Sequence, residues 1–236
     1  MSDDATIEHG PLRSRAYHTQ FINGKLVVGD WDHRNLIERF NKLNINPGDT
    51  VLDAGCRDGF FSQYFARRGG VVTAMDIADT VYRQELQAEV GFEFVRMNIL
   101  ELPEQDRKWD VVFCSDVLCH MRDPLGGLLA LRHACAREAY FVTDGRESLG
   151  RCCIVQPGAI RDKKAFYPFV WAPAFFRQML QWAGFRAVER IDQMVMRGNV
   201  YAPRKVFLFK AIPGEARVKD ISDILEWKKY KKENGL

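Results

Sequence analysis

Residues 51–62 read Val-Leu-Asp-Ala-Gly-Cys-Arg-Asp-Gly-Phe-Phe-Ser, and this stretch decides the fold. Two apolar residues lead into Asp53, a loop holds Gly55 and Gly59, and an amphipathic segment begins at Phe60. The pattern predicts a buried strand, a tight loop and the start of a helix. In an open α/β sheet a ligand lies at this place, outside the carboxyl end of the first strand, where glycines let the backbone approach it.

The spacing of the two glycines argues against a dinucleotide loop. The dinucleotide pattern Gly-x-Gly-x-x-Gly, started at Gly55, needs glycine where Arg57 and Phe60 stand. The Gly-Lys-Ser/Thr of a P-loop is absent as well. What remains is Asp-x-Gly-x-x-x-Gly, made by Asp53, Gly55 and Gly59, and it resembles the first motif of class I S-adenosylmethionine-dependent methyltransferases. A strand–turn–helix corner that binds nothing is the alternative.

The composition is that of an ordinary globular chain. Of its 236 residues, 47% are hydrophobic and 28% are charged, which is typical of soluble domains. No apolar run reaches the length of a membrane span, and residues 1–20 hold no signal-peptide core. Six cysteines without a Cys-x-x-Cys pair predict reduced thiols, so we expect a cytoplasmic protein that does not contact the membrane.

The positive charge is concentrated near the C-terminus. The formal net charge is +3, and residues 197–236 hold ten Lys or Arg against five Asp or Glu. A basic tail of this kind could contact RNA phosphates. A solvated helix face is the more usual explanation of such a charge run.

Strand and helix patterns alternate from residue 51 onward. The alternation predicts an α/β fold, namely a doubly wound, Rossmann-like, mostly parallel sheet of seven strands with helices on both faces and an antiparallel closing strand. We expect an N-terminal lid or helical segment over residues 1–50 and the sheet domain over 51–212. An irregular insertion is expected at 144–170, and a charged tail at 213–236.

Two short signals subdivide the N-terminal segment. Asn23-Gly24 predicts a hairpin turn between two short strands. Asp30 or Asp32 is then expected to cap a helix that extends to about Lys42.

An acidic residue ends the second predicted strand of the sheet. Asp76 follows Asp53 by 23 residues, and an acid at this distance can accept the hydrogens of a ribose diol. It therefore favours an adenosine-containing ligand, either S-adenosylmethionine or NAD. A helix cap is the alternative role, although Asp79 and Thr80 suit that role better.

The predicted fourth strand is followed by the block that narrows the resemblance. Residues 114–124 read Cys-Ser-Asp-Val-Leu-Cys-His-Met-Arg-Asp-Pro, and Val-Leu-x-His before Pro-Leu is similar to the family of the tRNA wobble-uridine 5-oxyacetate methyltransferase. The segments 17–19, 29–32 and 171–173 fit the same family. Cys119, however, stands where the tRNA enzyme has tyrosine, and that enzyme's large N-terminal extension is not part of this sequence. These departures favour ordinary S-adenosylmethionine and a small acceptor.

The resemblance implies a set of cofactor-binding residues. Asn98 stands where an Asp or Asn commonly contacts the adenine amino group, and Ile99 would lie against the ring. The residues expected to bind the cofactor are Asp53, Gly55, Cys56, Gly59, Asp76, Ile77, Asn98, Ile99, Ser115, Tyr17 and Trp31.

The chemistry requires few catalytic groups, because methyl transfer from a sulfonium depends mainly on placement. A hydroxyl or amine acceptor can need a base, and His120 is the candidate because histidine titrates near neutrality. Asp116, four residues earlier, could orient it. Packing beside the next helix is an equally good explanation of His120. His18, Tyr17, Asp144 and Tyr167 are weaker candidates for the base. The residues expected to bind the substrate are His18, Arg146 and Tyr167.

These features predict an S-adenosylmethionine-dependent methyltransferase that acts on an O or N atom of a small metabolite or sugar. We expect no metal, because Cys114, Cys119 and His120 lack a fourth ligand at a suitable spacing. Three alternatives stay open: a tRNA or other RNA methyltransferase, a non-catalytic methyltransferase-like scaffold subunit, and a nicotinamide-dependent oxidoreductase. A homodimer is one possible oligomeric state.

Overall fold

The computed structural model describes residues 16–155, 169–199 and 204–214. The strands are β1 (Gln20–Ile22), β2 (Lys25–Val27), β3 (Trp31–Asp32), β4 (Thr50–Ala54), β5 (Val71–Asp76), β6 (Glu93–Arg96), β7 (Trp109–Ser115), β8 (Cys135–Asp144), β9 (Cys153–Val155), β10 (Phe169–Trp171), β11 (Phe185–Gly198) and β12 (Arg204–Pro213). The α-helices are α1 (Ile37–Phe40), α2 (Phe60–Arg67), α3 (Val81–Val90), α4 (Pro124–Ala134) and α5 (Pro173–Trp182). Short 3-10 helices span Arg34–Leu36, Ile99–Glu104, Leu118–His120 and Glu147–Leu149.

The main sheet has eight strands within the described ranges, in the order β3-β11-β12-β8-β7-β4-β5-β6. The strands from β8 to β6 in this order are parallel to their neighbours, whereas β12, β11 and β3 add in antiparallel pairs. This confirms the doubly wound, mostly parallel sheet. The predicted number of seven strands is one too low, because Trp31 and Asp32 pair with Gly198 and Arg197 at the end of β11.

The N-terminal segment contains less helix than the sequence predicts. The hairpin at Asn23-Gly24 is confirmed, since both residues have positive φ and join β1 to β2. The helix expected to extend to Lys42 is shorter than predicted, although Asp32 does accept the N–H of Arg34 at its start, at 3.1 Å. Trp31 is buried in a strand pair instead, and the helical part is limited to a 3-10 turn and the four residues of α1.

Two apolar layers cover the sheet, and alternation along β7 assigns its side chains to them. Val112 packs in the layer formed with α4 and α5, while Phe113 packs in the layer formed with α1, α2 and α3. The ring centroids of Phe61 and Phe65 lie 4.8 and 5.0 Å from that of Phe113. Burying one such phenylalanine contributes about 1.5–3 kcal/mol, so α2 is held firmly against the centre of the sheet.

The carboxyl ends of the parallel strands meet at one edge of the sheet. The last residues of β4, β5, β7 and β8 all lie there, because parallel strands run in one direction. The antiparallel β12 begins at this same edge, since Val206 pairs with Asp144. Among the described helices none is long and apolar enough to cross a membrane.

Candidate functional site

The glycine loop joins β4 to α2 at the carboxyl edge. Gly55 and Gly59 both have φ of +82°, a conformation that favours glycine. A Cβ at position 55 would lie 2.1 Å from Cγ2 of Val117, which packs directly over the loop. The N–H groups of Gly55 and Cys56 donate to the carbonyl oxygen of Met75 at 2.7 and 3.0 Å. The loop is therefore tied to β5, and a side chain at position 55 would collide with Val117.

Asp76 lies against this loop. Its Oδ2 accepts the N–H of Arg57 at 2.8 Å, and its Oδ1 accepts the N–H of Ala78 at 2.9 Å. Each carboxylate oxygen offers two lone pairs, so both oxygens retain capacity to accept from a ribose diol. Ile77, the next residue, is 65% exposed. The parallel pairing of β4 with β5 thus brings Asp76 beside the glycine loop.

Asn98 has a structural role in the described contacts. Its Oδ1 accepts the N–H of Leu100 at 3.0 Å, and Glu101 accepts the N–H of Asn98 at 3.4 Å. These two bonds form a capping box at the start of the 3-10 helix. Ile99 is buried in the core with Leu102. The predicted adenine contacts of Asn98 and Ile99 stay predictions, and the cap favours a structural role for Asn98.

Asp53 is fully buried in β4 and is the acid of the first motif. Its Oδ2 accepts the hydroxyl of Ser62 at 2.6 Å, which joins the first turn of α2 to β4. Burial raises the pKa of Asp53 to about 7, and the nearby charge of Asp76 acts in the same direction. The hydrogen bond from Ser62 and the proximity of His18 oppose this shift. Asp53 is therefore a buried carboxyl that titrates near neutrality.

Residues 16–32 form an N-terminal strap over the glycine loop. The carboxylate of Asp58, in the loop, accepts the N–H groups of Tyr17 and His18 at 2.9 and 2.8 Å and also pairs with Nδ1 of His18. The His18 ring is 5% exposed and lies 4.8 Å from the ring of His33. These contacts favour a structural role for His18, and its predicted contact with the substrate stays a prediction.

Tyr17 and Trp31 both belong to the N-terminal strap, in which Tyr17 is half-buried and Trp31 is buried. Trp31 is 4% exposed, and its backbone N–H donates to the backbone carbonyl oxygen of Tyr17 at 2.9 Å. The Arg57 guanidinium lies 5.7 Å from the Tyr17 ring centroid. Burial raises the pKa of Tyr17, and the charge of Asp116 adds to this effect. Tyr17 is therefore a neutral phenol beside the end of β7.

Asp116, Asp144 and Arg204 form what we call the acid–arginine cluster. Asp116 follows β7 with φ of +52°, and its Oδ1 accepts the N–H of Asp144 at 3.0 Å. The Nη2 of Arg204 lies 3.5 Å from Oδ2 of Asp116, and its Nη1 lies 3.7 Å from Oδ2 of Asp144. Non-glycine residues with positive φ are uncommon and cluster at functional sites. The cluster brings together the ends of β7 and β8 and the start of β12.

Electrostatics couple the three members of the cluster. Burial raises the pKa of Asp144, Arg204 opposes the shift and Asp116 adds to it. Burial disfavours the charge on Arg204, but the carboxylates of Asp116 and Asp144 raise its pKa overall. Sequence reasoning missed Arg204 as a site residue. The sequence does contain a clue to its position. A closing strand that is antiparallel to β8 must begin at the edge where β8 ends, and Arg204 is the first residue of that strand.

His120 lies close to this cluster, at the end of the 3-10 helix Leu118–His120. Its side chain is exposed, yet the surrounding protein lowers its pKa by desolvation, which the charge of Asp116 opposes and that of Arg204 reinforces. The imidazole is therefore neutral at pH 7 and able to accept a proton. The carboxylate of Asp116 contacts Asp144 and Arg204, so orientation of His120 by Asp116 stays a prediction.

The remaining candidates are placed less specifically. Ser115 is half-buried at the end of β7, and Arg146 is exposed with its N–H donating to the carbonyl oxygen of Trp171 at 2.9 Å. Burial raises the pKa of Cys56 and Cys119 well above the ordinary thiol value, so neither is a nucleophile. Tyr167 lies outside the described residues. No group of three His, Cys, Asp or Glu in the described part of the chain could hold a metal ion.

Similarity to curated proteins covers part of the chain. The ubiquinone biosynthesis O-methyltransferase of Hahella chejuensis is 38% identical over 98 residues, which make up 39% of this chain and 40% of that protein. The chain thus spans about two fifths of the length of the curated relatives that it matches in this way.

Solved structures share the fold at low sequence identity. A magnesium protoporphyrin IX methyltransferase from Synechocystis with bound S-adenosylmethionine is 20% identical, with a TM-score of 0.54 over 77% of this chain and 80% of that one. A 1,6-didemethyltoxoflavin-N1-methyltransferase from Burkholderia thailandensis, with 1,6-didemethyltoxoflavin and S-adenosylhomocysteine bound, is 16% identical, with a TM-score of 0.56 over 77% and 76%. Residues 52–143, about two fifths of the chain, match the family model described as a methyltransferase domain.

Proposed function

We propose that this protein transfers a methyl group from S-adenosylmethionine to an O or N atom of a small-molecule acceptor. The observation that carries the proposal is the contact of Asp76 with the glycine loop at the carboxyl edge. The family match over residues 52–143 supports it. The relatives are named for ubiquinone biosynthesis, 1,6-didemethyltoxoflavin and magnesium protoporphyrin IX, and these names favour a small acceptor.

The residues at the carboxyl edge fit an adenosine-containing sulfonium cofactor. The absence of a side chain at Gly55 leaves the loop backbone close to the strand ends, and Asp76 keeps free lone pairs toward a diol. Arg57 stands where a pyrophosphate loop needs glycine, which disfavours NAD. The proposed cofactor contacts are those of Asp53, Gly55, Cys56, Gly59, Asp76, Ile77, Asn98, Ile99, Ser115, Tyr17 and Trp31.

The protein contributes placement and proton handling. Bound S-adenosylmethionine supplies an electrophilic methyl group together with its leaving group. The strap and the strand ends hold the acceptor side in position, which can account for much of the rate. The neutral His120 accepts the proton that a hydroxyl or amine acceptor releases. Arg146 and Tyr167 complete the proposed acceptor contacts.

A tRNA acceptor is the second candidate. It is favoured by the Val-Leu-x-His block and by the basic residues within 197–236. The proposed organisation has a strap or lid segment within 1–50, a methyltransferase domain at 51–212 and a charged tail at 213–236. We place the protein in the cytoplasm, since all six cysteines are free thiols. A homodimer is tested by light scattering of the purified chain.

Binding of S-adenosylhomocysteine, compared with NAD, tests the proposal. Calorimetric titration should show binding of the former and none of the latter. Asp76→Ala should weaken that binding by about tenfold or more, because a charged hydrogen-bond acceptor contributes about 1.5–3 kcal/mol. Glu85→Ala, which removes an exposed acid from α3, is the matched control and should bind like the wild type. Absence of S-adenosylhomocysteine binding would refute the proposed function.

A further inference from the structure

We propose that the acid–arginine cluster selects an acceptor that is uncharged or cationic and donates hydrogen bonds, and that it excludes anionic acceptors. The inference rests on the proposed function, because it takes the edge beside β7, β8 and β12 as the acceptor side. Its basis is a charge count at short range. Asp116 and Asp144 provide two carboxylates within 4 Å of a single guanidinium, that of Arg204, while the exposed Arg146 exerts only the smallest of the named influences on Asp144. The two carboxylates are therefore only partly neutralised.

The Arg204 guanidinium is not available for bidentate binding of an anion. Its guanidinium stacks on Trp31, with Cζ 4.2 Å from the ring centroid. Its two terminal nitrogens face Asp116 and Asp144, and its Nε is buried without a partner among the described residues. Bidentate recognition of a carboxylate or phosphate needs a free guanidinium fork. An anionic acceptor would have to displace both aspartates to reach this one.

The carboxylates, in contrast, keep capacity for hydrogen-bond donors. The Arg204 contacts of 3.5 and 3.7 Å are longer than the 2.7–2.9 Å of a closed charge-assisted bond. Arg204 therefore partly neutralises Asp116 and Asp144, but it does not use up their capacity to accept hydrogen bonds. The Asp144 side chain is 21% exposed, so a donor can reach it from solvent. A hydroxyl or amine group on the acceptor would satisfy lone pairs that the protein leaves open.

Arg204 acts in this arrangement as a positioning residue. Two carboxylates close together, with one partly buried, would otherwise share a proton. The guanidinium lowers the pKa of Asp144 against the effect of burial, and its stacking on Trp31 fixes it below the strap. Residues at the ends of β7 and β8 and at the start of β12, together with the strap, thus determine which charge the acceptor can carry.

A pair of phenols with opposite charges tests the proposal. Tyramine and 3-(4-hydroxyphenyl)propionate share the phenol, but at pH 7.5 one is a cation and the other an anion. Ligand-observed NMR titrations use the full chain, with and without saturating S-adenosylhomocysteine. We expect tyramine to bind about tenfold more tightly, because like charges placed together are disfavoured. Equal binding, a preference for the propionate, or no binding of either probe would overturn the proposal.

Isosteric variants locate the effect. Asp144→Asn removes one negative charge from the cluster and should abolish the preference for tyramine. Asp192→Asn removes the same charge from β11, where Asp192 pairs with Arg39 and Lys42, and should keep it. Arg204→Lys keeps the charge balance and should retain the preference. A preference that survives in Asp144→Asn would refute the assignment, whereas failure of S-adenosylhomocysteine to bind would refute the proposed function separately.

Discussion

The cofactor side of the proposed site differs from its acceptor side in what builds it. On the cofactor side, backbone groups dominate: the N–H groups of Gly55 and Cys56 bond to β5, and that of Arg57 bonds to Asp76. On the acceptor side, side chains from distant positions meet, as Asp116 and Arg204 do across 88 residues. Backbone geometry depends on a local motif, whereas side-chain clusters depend on the whole topology. The two sides should therefore respond differently to mutation.

The largest effect is expected where the backbone leaves no room. Gly55→Ala should reduce the free energy of unfolding by about 4 kcal/mol, because it combines positive φ with overpacking. The new Cβ would meet Val117 at 2.1 Å. Gly91→Ala is the matched control, since Gly91 has φ of +83° and open space around its Cα, and it should cost about 1 kcal/mol. Urea unfolding measures both values.

A second substitution separates strain from collision. Val117→Ala combined with Gly55→Ala should recover most of the difference between the two glycine variants, because it removes the colliding Cγ2. Equal losses in Gly55→Ala and Gly91→Ala would contradict the idea that Val117 closes the loop.

Asp53 gives the cofactor side a distinctive pH dependence. Its folded-state pKa of about 7 lies above the unfolded value of 3.8. As the pH rises from about 4 to 7, the unfolded chain releases a proton that the folded chain retains, so the wild type loses stability. Asp53→Asn cannot titrate, and its stability relative to the wild type should therefore increase by about 3 kcal/mol over this range.

Urea unfolding at several pH values checks this sign. Asp192→Asn is a suitable control, because the pKa of Asp192 is lowered and its substitution should produce no such gain. A difference between Asp53→Asn and the wild type that stays constant with pH would contradict a buried carboxyl titrating near neutrality.

The sequence predicts the placement of the glycine loop and of Asp76 better than that of the acid–arginine cluster, for a physical reason. The loop with Gly55 and Gly59 is local, and Asp76 follows from the next strand of a parallel sheet. The strand pairing of Trp31 is not predicted, because its partner, β11, lies more than 160 residues away. Arg204 was missed because its relation to Asp116 exists only once β12 has paired with β8.

A middle-sized effect is expected on the acceptor side from His120→Ala. With any acceptor that the wild type methylates, kcat should fall by about 100-fold, as is typical for loss of a general base. The affinity for S-adenosylhomocysteine should stay within about threefold. Since desolvation lowers the pKa of His120, the wild-type rate should be constant near pH 7 and fall toward acid. An unchanged kcat would remove His120 as the base.

The smallest effect on cofactor affinity is expected from Arg204→Met. The substitution removes the cation that lowers the pKa of Asp144, so this pKa should rise. A ¹³C NMR titration of aspartate carboxyl carbons, assigned with Asp144→Asn, follows it directly. Affinity for S-adenosylhomocysteine should change by no more than about threefold, because the described polar contacts of Arg204 are to Asp116, Asp144 and Met196.

Arg204→Lys should restore the titration of Asp144. A loss of cofactor affinity as large as that of Asp76→Ala would mean that the two sides of the site share one binding surface, and the distinction between a backbone-built side and a side-chain-built side would fail.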